Sequence, residues 1–486
     1  MDGEELPPGW AWATLGEVLP LEYGAALPGR SRADGGVIPV YGSAGVVGNH
    51  DAALVAGPTI IVGRKGSAGA VFYSKGDCWP IDTAYFVRAK GAVDLQYGYH
   101  FLKFCQLAKL DQSTAIPSLS RPVYSALGMP VPPRAEQTRI ATAVNALFEE
   151  LDEAEAALAR AREGVEQFRA SLLHAACTGQ LTAAWRRDKP PAETGADLLR
   201  RILAERRTTW ERAERARLEA RGTMPRGDAW KARYAEPVAP DLTDLPDLPE
   251  GWVWASVDQL TDFRGNGLSR APDGDDSDPE ILRISAVRSM MVNITARRNY
   301  RPLPNEKLDG GTALDGDLLF TRYSGSEHFV GVCGLLRKGG PILFPDKVMC
   351  ARPLKGYEKL APFLEIALNA GASRKHINAN IRTTAGQKGI AGSAIRACPT
   401  PVPPLDEVNH IIETYHHLAA LGQASDGLTD GGCGTLRQSI LHAAFTGRLV
   451  PQNSADEPAA TLLARLRETA APARRTRGRP VAKVPA

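Results

Sequence analysis

Two glycine-flanked stretches open the two groups of side chains in this 486-residue chain that could do chemistry. The first reads Gly63 Arg64 Lys65 Gly66 Ser67 Ala68 Gly69, with Ser113, Thr114, Ser118 and Ser120 downstream. The second reads Gly316 Asp317 Leu318 Leu319 Phe320 Thr321 Arg322 and runs on into Tyr323 and Ser324. Asn378, Asn380, Arg382, Thr384, Gln387 and Lys388 follow it. Guanidinium, ammonium, amide and hydroxyl groups are hydrogen-bonding groups, so the chemistry they offer is recognition of a polar partner. Bond-making patterns are missing. Gly63 to Ser67 does not meet the GxxxxGK[ST] order of a phosphate loop, and there is no GxSxG elbow, HExxH pair, dinucleotide fingerprint or NPP[FY] tetrapeptide. His416 and His417 are adjacent on an expected helix and point apart, which makes a poor metal pair. The expectation is a binding protein with no catalytic residues and no metal site.

The element that must position these loops is an amphipathic stretch from Pro132 to Leu181. Apolar residues fall at Ile140, Val144, Leu147, Leu151, Ala154, Leu158, Ala161, Val165, Phe168 and Leu172, in alternating steps of four and three. That is a heptad seam, and it needs a partner helix. Pro132 and Pro133 suit a helix start, and Gly179 suits a stop. About 45 residues at roughly 1.5 Å each make a rod on the order of 65 Å long.

The chain repeats itself. Leu6 Pro7 Pro8 Gly9 Trp10 Ala11 Trp12 Ala13 returns as Leu248 Pro249 Glu250 Gly251 Trp252 Val253 Trp254 Ala255, and Pro130 Val131 Pro132 Pro133 returns as Pro401 Val402 Pro403 Pro404. Ser171 Leu172 Leu173 His174 Ala175 Ala176 Cys177 Thr178 Gly179 Gln180 Leu181 returns as Ser439 Ile440 Leu441 His442 Ala443 Ala444 Phe445 Thr446 Gly447 Arg448 Leu449. His174 and His442 therefore hold equivalent places, which favours a structural role. Each copy has a tryptophan-marked opening, a variable globular part, a Pro-Pro hinge and a helix. The second helix is three residues shorter and carries Gly422, Gly427, Gly431, Gly432 and Gly434, so it is expected to break near Ser425 to Gly434.

This organisation predicts a mixed α/β (α+β) fold: two globular domains separated by two long antiparallel coiled-coil-like helices, with an internal pseudo-twofold repeat. The boundaries read 1–131 for the first domain, 132–181 for the first helix, 182–247 for a basic helix and Pro-containing connector, 248–400 for the second domain, 401–450 for the glycine-broken second helix, and 451–486 for a C-terminal helix and basic tail. Strands are predicted at Thr59 to Val62, Ala84 to Val87, Ile281 to Ile284, Leu318 to Thr321 and Val330 to Val332, and helices near Tyr97 to Leu110 and Leu360 to Asn369. The arginine-rich segment Leu198 to Leu218 reads as a charged helix facing solvent.

Composition bounds the partners. Hydrophobic content of 43% and charged content of 23% are those of a globular protein. No apolar run reaches membrane-spanning length, and the start Met1 Asp2 Gly3 Glu4 Glu5 is unlike a signal peptide, so a cytoplasmic location is expected. Seven scattered cysteines without a CxxC pair argue for reduced thiols. A net charge of +3 requires any basic surface to be local.

The repeated LPxGWxWA openings, Pro132 Pro133 Arg134 Ala135 Glu136 Gln137 with Leu147 Phe148, and Gly447 Arg448 Leu449 Val450 Pro451 Gln452 resemble the specificity subunit of a type I DNA restriction-modification system. The two glycine-flanked stretches, Trp79 Pro80 Ile81 Asp82 Thr83 and Thr384 Ala385 Gly386 Gln387 Lys388 look like motifs of that family's target recognition domains. The resemblance implies a non-catalytic, sequence-specific binder of double-stranded DNA that reads a split asymmetric target with two domains. It implies docking of two methyltransferase subunits and of restriction (translocase) subunits. It implies no cofactor in this chain, with S-adenosylmethionine, ATP and Mg²⁺ held by those partners. The glycine-broken second helix departs from the family pattern.

Physical chemistry supports this role independently. Two readers on one face of B-DNA sit about one turn, roughly 34 Å, apart, and a rod of the expected length can set such a spacing. Arginine suits guanine, and Asn or Gln suits adenine, through paired hydrogen bonds. The candidate DNA contacts are therefore Arg64, Lys65, Ser67, Ser113, Thr114, Ser118 and Ser120 in the first domain, and Arg322, Tyr323, Ser324, Asn378, Asn380, Arg382, Thr384, Gln387 and Lys388 in the second. Two other classes compete with this reading: a self-contained DNA modification enzyme, and a coiled-coil protein adaptor that binds no DNA.

Overall fold

Each tryptophan-marked opening folds as a short strand paired antiparallel with the strand that leads into a Pro-Pro hinge. Ala11–Thr14 pairs with Gly128–Val131, and Val253–Ser256 pairs with Pro399–Val402. This computed structural model describes residues 5–29, 32, 36–111, 116–189, 191–225, 227–384, 386–423 and 431–470. The tryptophan before each pair is tied to the helix beyond the hinge. The Trp10 indole N–H donates to the Glu136 carboxylate at 3.2 Å, and that of Trp252 donates to Glu407 at 2.9 Å. Both glutamates are buried in a first helical turn, where the helix dipole favours an acid.

Between opening and hinge, each copy builds a four-stranded antiparallel sheet with the same strand order. The first runs Leu21–Tyr23, Ala84–Val87, Thr59–Gly63, Val71–Ser74. The second runs Thr261–Asn266, Val348–Pro353, Leu318–Thr321, Cys333–Leu335. The inner strands Thr59–Gly63 and Leu318–Thr321 are buried along their whole length, as their unbroken apolar runs require. Additions to the sheets differ. The first copy carries a three-stranded sheet around Ile38–Gly42, and the second carries a four-stranded sheet around Glu280–Leu282 and the small sheet Tyr323–Ser324, Gln387–Gly389, Arg382–Thr384. The expected strand at Val330 to Val332 is instead a turn. Gly331 takes φ +69° and donates to the Thr321 carbonyl at 2.7 Å, so the strand starts at Cys333. The expected first helix spans Leu95–Phe104, with a 3₁₀ turn at Leu107–Leu110, and the second spans Ala361–Leu368.

The chain divides into two compact units, and neither is one repeat. One consists of Met1–Ala159 with Leu428–Ala486, and the other of Arg160–Gly427. In the first, Trp10, Val62, Tyr97, Phe101, Ile140 and Val144 share a core with Leu441, Phe445, Leu463 and Leu466. The Phe445 ring centroid lies 5.3 Å from that of Tyr97 and 5.1 Å from that of Phe101. In the second, Trp252, Phe320, Phe363, Val408 and Ile411 share a core with Leu172, Ala176, Leu198 and Ile202. Each unit thus combines the opening and domain of one copy with the helical close of the other. The closing helices seat alike: the Ala459 N–H donates to the Gly9 carbonyl at 2.9 Å and the Gly195 N–H to the Gly251 carbonyl at 2.7 Å. Gly9 and Gly251 sit at φ +83° and +84°, a conformation that a side chain would strain.

This arrangement corrects the solvent-facing reading of the arginine-rich segment. The helix Gly195–Ala220 starts on a capping box of Thr194 and Asp197 and buries Leu198, Ile202 and Leu218. The arginines between these apolar residues had masked them. The heptad stretch forms one helix, Arg134–Cys177. Its seam is buried at Ile140 and Val144 and again at Leu172, while between them Leu151, Leu158 and Val165 are half-buried and Phe168 is 41% exposed. Beyond the second hinge the described residues form Leu405–Gln423 and Gly431–Phe445. Most of the expected break, residues 425–430, lies outside the described residues. Gly431, Gly432 and Gly434 occupy a first helical turn, where glycine costs less than in an interior.

Asp258 links the Val253–Ser256 opening to the rest of its unit. It is buried, accepts from the Arg396 guanidinium at 3.0 Å twice, and accepts from the Val238 N–H at 2.8 Å. Burial pulls its pKa up, but the bonds from Arg396 and Val238 and the charges of Arg396 and Arg206 outweigh burial and hold it below the usual aspartate range. A depressed carboxylate pKa adds stability above the unfolded-state value, near 3.9, and that stability is lost as pH falls through the folded value. Asp258→Asn is expected to lower the stability of this unit by about 1–3 kcal/mol at pH 7 and to flatten its acid loss below about pH 4. Urea midpoints at pH 7 and pH 3.5 check this; an equal deficit at both would argue against it.

Candidate nucleic-acid interface

An arginine follows the buried inner strand of each sheet, and the two arginines are held by the same set of bonds. The Arg64 N–H donates to the Thr83 carbonyl at 2.9 Å, and the Arg322 N–H to the Lys347 carbonyl at 2.8 Å. Their own carbonyls accept from Leu119 N–H at 2.9 Å and from Ile390 N–H at 3.1 Å. Nη1 of Arg64 donates to the Asp82 carbonyl at 2.9 Å, and Nη1 of Arg322 is 3.4 Å from that of Asp346. Asp82-Thr83 and Asp346-Lys347 lead into the corresponding strands Ala84–Val87 and Val348–Pro353. Each guanidinium also lies over a tyrosine ring, 4.9 Å from the Tyr23 centroid for Arg64 and 4.8 Å from the Tyr323 centroid for Arg322.

In the first unit this places Arg64, Lys65, Ser118 and Ser120 side by side. Lys65 bridges to Ser118, and Ser120 precedes the helix Arg121–Ala126. Ser67 lies on the same exposed loop, which Gly69 lets close: at φ +78°, an added Cβ there would fall 2.3 Å from the Ala108 nitrogen. Ser113 and Thr114 lie outside the described residues. Reading the sequence missed Arg121, whose guanidinium is 5.4 Å from the Tyr23 centroid, and Tyr23 itself, which is 51% exposed. Arg121 immediately follows Ser120 and could have been included on that ground. Tyr23 comes from a distant strand and gives no local signal. Tyr85 lies 5.1 Å from Tyr23, and burial first, then that neighbour, pushes its phenol pKa up.

In the second unit Tyr323, Ser324, Arg382, Thr384, Gln387 and Lys388 fall on one small sheet, with Tyr323 opposite Gly389, Ser324 opposite Lys388, and Thr384 opposite Gln387. Lys388 pairs with Glu327 and holds its carboxyl below the usual range. Asn378 lines a cavity of about 660 Å³ beside this sheet, together with Gly325, Ser326, Glu327, His328, Arg374 and Lys388. Arg374 Nη1 has no hydrogen-bond partner among the described residues, and burial lowers the pKa of this arginine. Two candidates are engaged in holding a helix end: the Asn380 amide donates to the His376 carbonyl at 2.9 Å, and Arg382 donates to the carbonyls of Ala379 at 2.9 Å and Ile381 at 3.0 Å. Sequence reading also missed Lys347 and Arg288. They line the pocket that Tyr323, Ser324 and Gln387 share.

Among the described residues no group of three or more His, Cys, Asp or Glu could hold a metal ion, and no helix is long and apolar enough to cross a membrane. All seven cysteines are free thiols. The built chemistry is two clusters of cationic and polar side chains around a tethered arginine, arranged for hydrogen bonding to an anionic or polar partner.

Comparison with known proteins finds chains similar to this one in part. Residues 7–159 match the family model described as type I restriction modification DNA specificity domain. The type I restriction enzyme EcoKI specificity subunit of Escherichia coli (strain K12) is 28% identical over 358 residues, which are 73% of this chain and 64% of that protein. The StySPI specificity subunit of Salmonella potsdam is 22% identical over 382 residues, 76% of this chain and 69% of that protein. The chain thus spans slightly less than two thirds of the first of these relatives. A solved chain from work on complex assembly and conformational transition of the type I R-M system superposes with a TM-score of 0.55 at 15% identity, over 92% of this chain and all of that one; the two share a fold.

Proposed function

We propose, for a chain related to the specificity subunits of type I restriction-modification systems, that it is the sequence-reading, non-catalytic subunit of such a system. The carrying observation is that two sheets of one strand order, each with different additions, project polar side chains from the same loop beyond the inner strand. A repeated frame with unlike contents suits two readers of unlike half-sites. The partner is double-stranded DNA with a split asymmetric target. Two methyltransferase subunits and the restriction subunits dock on this chain in the cytoplasm, and they bring S-adenosylmethionine, ATP and Mg²⁺. Candidate DNA contacts are Arg64, Lys65, Ser67, Ser118 and Ser120 in one half-site and Arg322, Tyr323, Ser324, Thr384, Gln387 and Lys388 in the other.

Single-molecule sequencing of adenine methylation tests this in cells that express the chain with its methyltransferase subunit. A bipartite motif is expected that is absent without this chain. Methyl transfer by the purified chain alone would overturn the non-catalytic reading. A soluble complex that neither methylates nor binds duplex DNA would overturn the DNA reading.

A further inference from the structure

Resting on that DNA reading, we propose that Arg64 and Arg322 are a matched pair of backbone clamps, each gripping a phosphate at the same place in its half-site and reading no base. Everything that fixes these arginines is common to the two domains. Each follows the inner strand of its sheet, spends its own N–H and carbonyl on two different loops, and ties Nη1 to the carbonyl of the aspartate that opens the neighbouring strand. What surrounds them is not common. The supporting ring is Tyr23 from an edge strand in one domain and Tyr323, the next residue in the chain, in the other. Two unrelated rings at 4.9 Å and 4.8 Å from two guanidinium groups mean that the position of the guanidinium is what both domains hold constant.

A feature shared by two readers of different sequences carries no information about either sequence. It carries register. Phosphate contacts fix how a protein sits on the duplex, and the forked, permanently charged guanidinium suits a phosphate. The Nη1 tether leaves further donors of the five-donor fork free to engage one. Both side chains are half-buried and so already ordered. Cationic neighbours extend each clamp: Lys65 and Arg121 beside Arg64, and Lys347 beside Arg322.

The test uses the complex of the full chain with its methyltransferase subunit, on a duplex carrying the methylated motif and on a scrambled duplex, over a KCl series. Arg64→Ala and Arg322→Ala are each expected to raise Kd about fivefold on both duplexes alike, and to reduce the slope of log K against log salt by about 1. The methylated motif in cells stays unchanged. Should an alanine variant fail to fold, Arg64→Gln and Arg322→Gln keep a donor for the aspartate carbonyl and read the same quantities. Relaxed preference at one base of the motif would make the residue a base reader and overturn the proposal. Unchanged affinity and salt slope would make it a loop support and overturn it equally. A wild-type complex that binds neither duplex would overturn the DNA reading beneath it.

Discussion

Glu407→Ala is expected to destabilise the unit formed by Arg160–Gly427 by about 3–5 kcal/mol, because it leaves a partly buried arginine and a buried indole N–H without their acceptor. The Glu407 carboxylate is fully buried and takes three hydrogen bonds, from Thr182 Oγ1 at 2.6 Å, Arg186 Nε at 3.0 Å and Trp252 Nε1 at 2.9 Å, with the charge of Arg186 Nη2 2.9 Å away. Thr182 and Arg186 come from the close of the first copy, whereas Trp252 and Glu407 come from the second. One carboxylate therefore joins the two contributions to this core. Its counterpart Glu136 has a lighter task. Trp10 donates to it, but the arginine nearby, Arg139, pairs with Asp456 at 2.7 Å. Burial raises the Glu136 pKa more than Trp10 and Arg139 lower it. Its neutral form is thus favoured on folding, and the stability from this shift is present below the unfolded value, near 4.3, and lost as pH rises through the folded one. Glu136→Gln should accordingly cost less than about 1 kcal/mol at pH 7. Urea unfolding read by hydrogen exchange in residues 182–188 and 405–423 checks the larger effect. An unchanged midpoint in Glu407→Ala would sink it.

On the proposed function, replacing residues 13–129 with the first domain of a related specificity subunit should change one half of the methylated motif completely and leave the other half untouched. The strand pair explains why the graft is mechanically tolerable. Ala13 lies opposite Met129 in the Ala11–Thr14 and Gly128–Val131 ladder, so the chain leaves and re-enters the domain at neighbouring points. The same holds for Ala255 and Thr400 in the second copy. Both junctions keep Trp10, Glu136 and the hinge in place. Methylome sequencing of the chimera is the measurement, and a change in both half-motifs would contradict modular reading.

The frame of this fold was legible because it is periodic or repeated. Ten apolar positions from Ile140 to Leu172 announced the helix Arg134–Cys177, and the returning LPxGWxWA segments announced two equivalent strand pairs. The interface was legible by residue type alone. Arg64 and Arg322 stand out in the sequence as polar groups in glycine-flanked stretches, but their shared tether runs through carbonyls of Asp82 and Asp346, and main-chain acceptors leave no mark in side-chain identity. Tyr23 and Tyr323 support equivalent groups from non-equivalent positions, so the repeat could not reveal them. The buried face of Gly195–Ala220 was hidden for a related reason. Seven arginines are spread among its apolar residues, and the contacts that fix which side turns inward include main-chain carbonyls, that of Gly251 at its start and those of Asp258 and Thr261 on Arg206.

The composite cores impose an order of assembly on the nascent chain. Val144 and Leu441 share one core yet are translated about 300 residues apart, on the order of 15 to 60 s at ribosomal speed. During that interval the first globular domain has left the ribosome without Phe445, Leu463 and Leu466, with Tyr97 and Phe101 still uncovered by them. The core of the other unit draws its described buried residues from Leu172 to Tyr415. The domain made second can therefore bury its core first, while the one made first keeps an apolar face open until Leu463 and Leu466 are made.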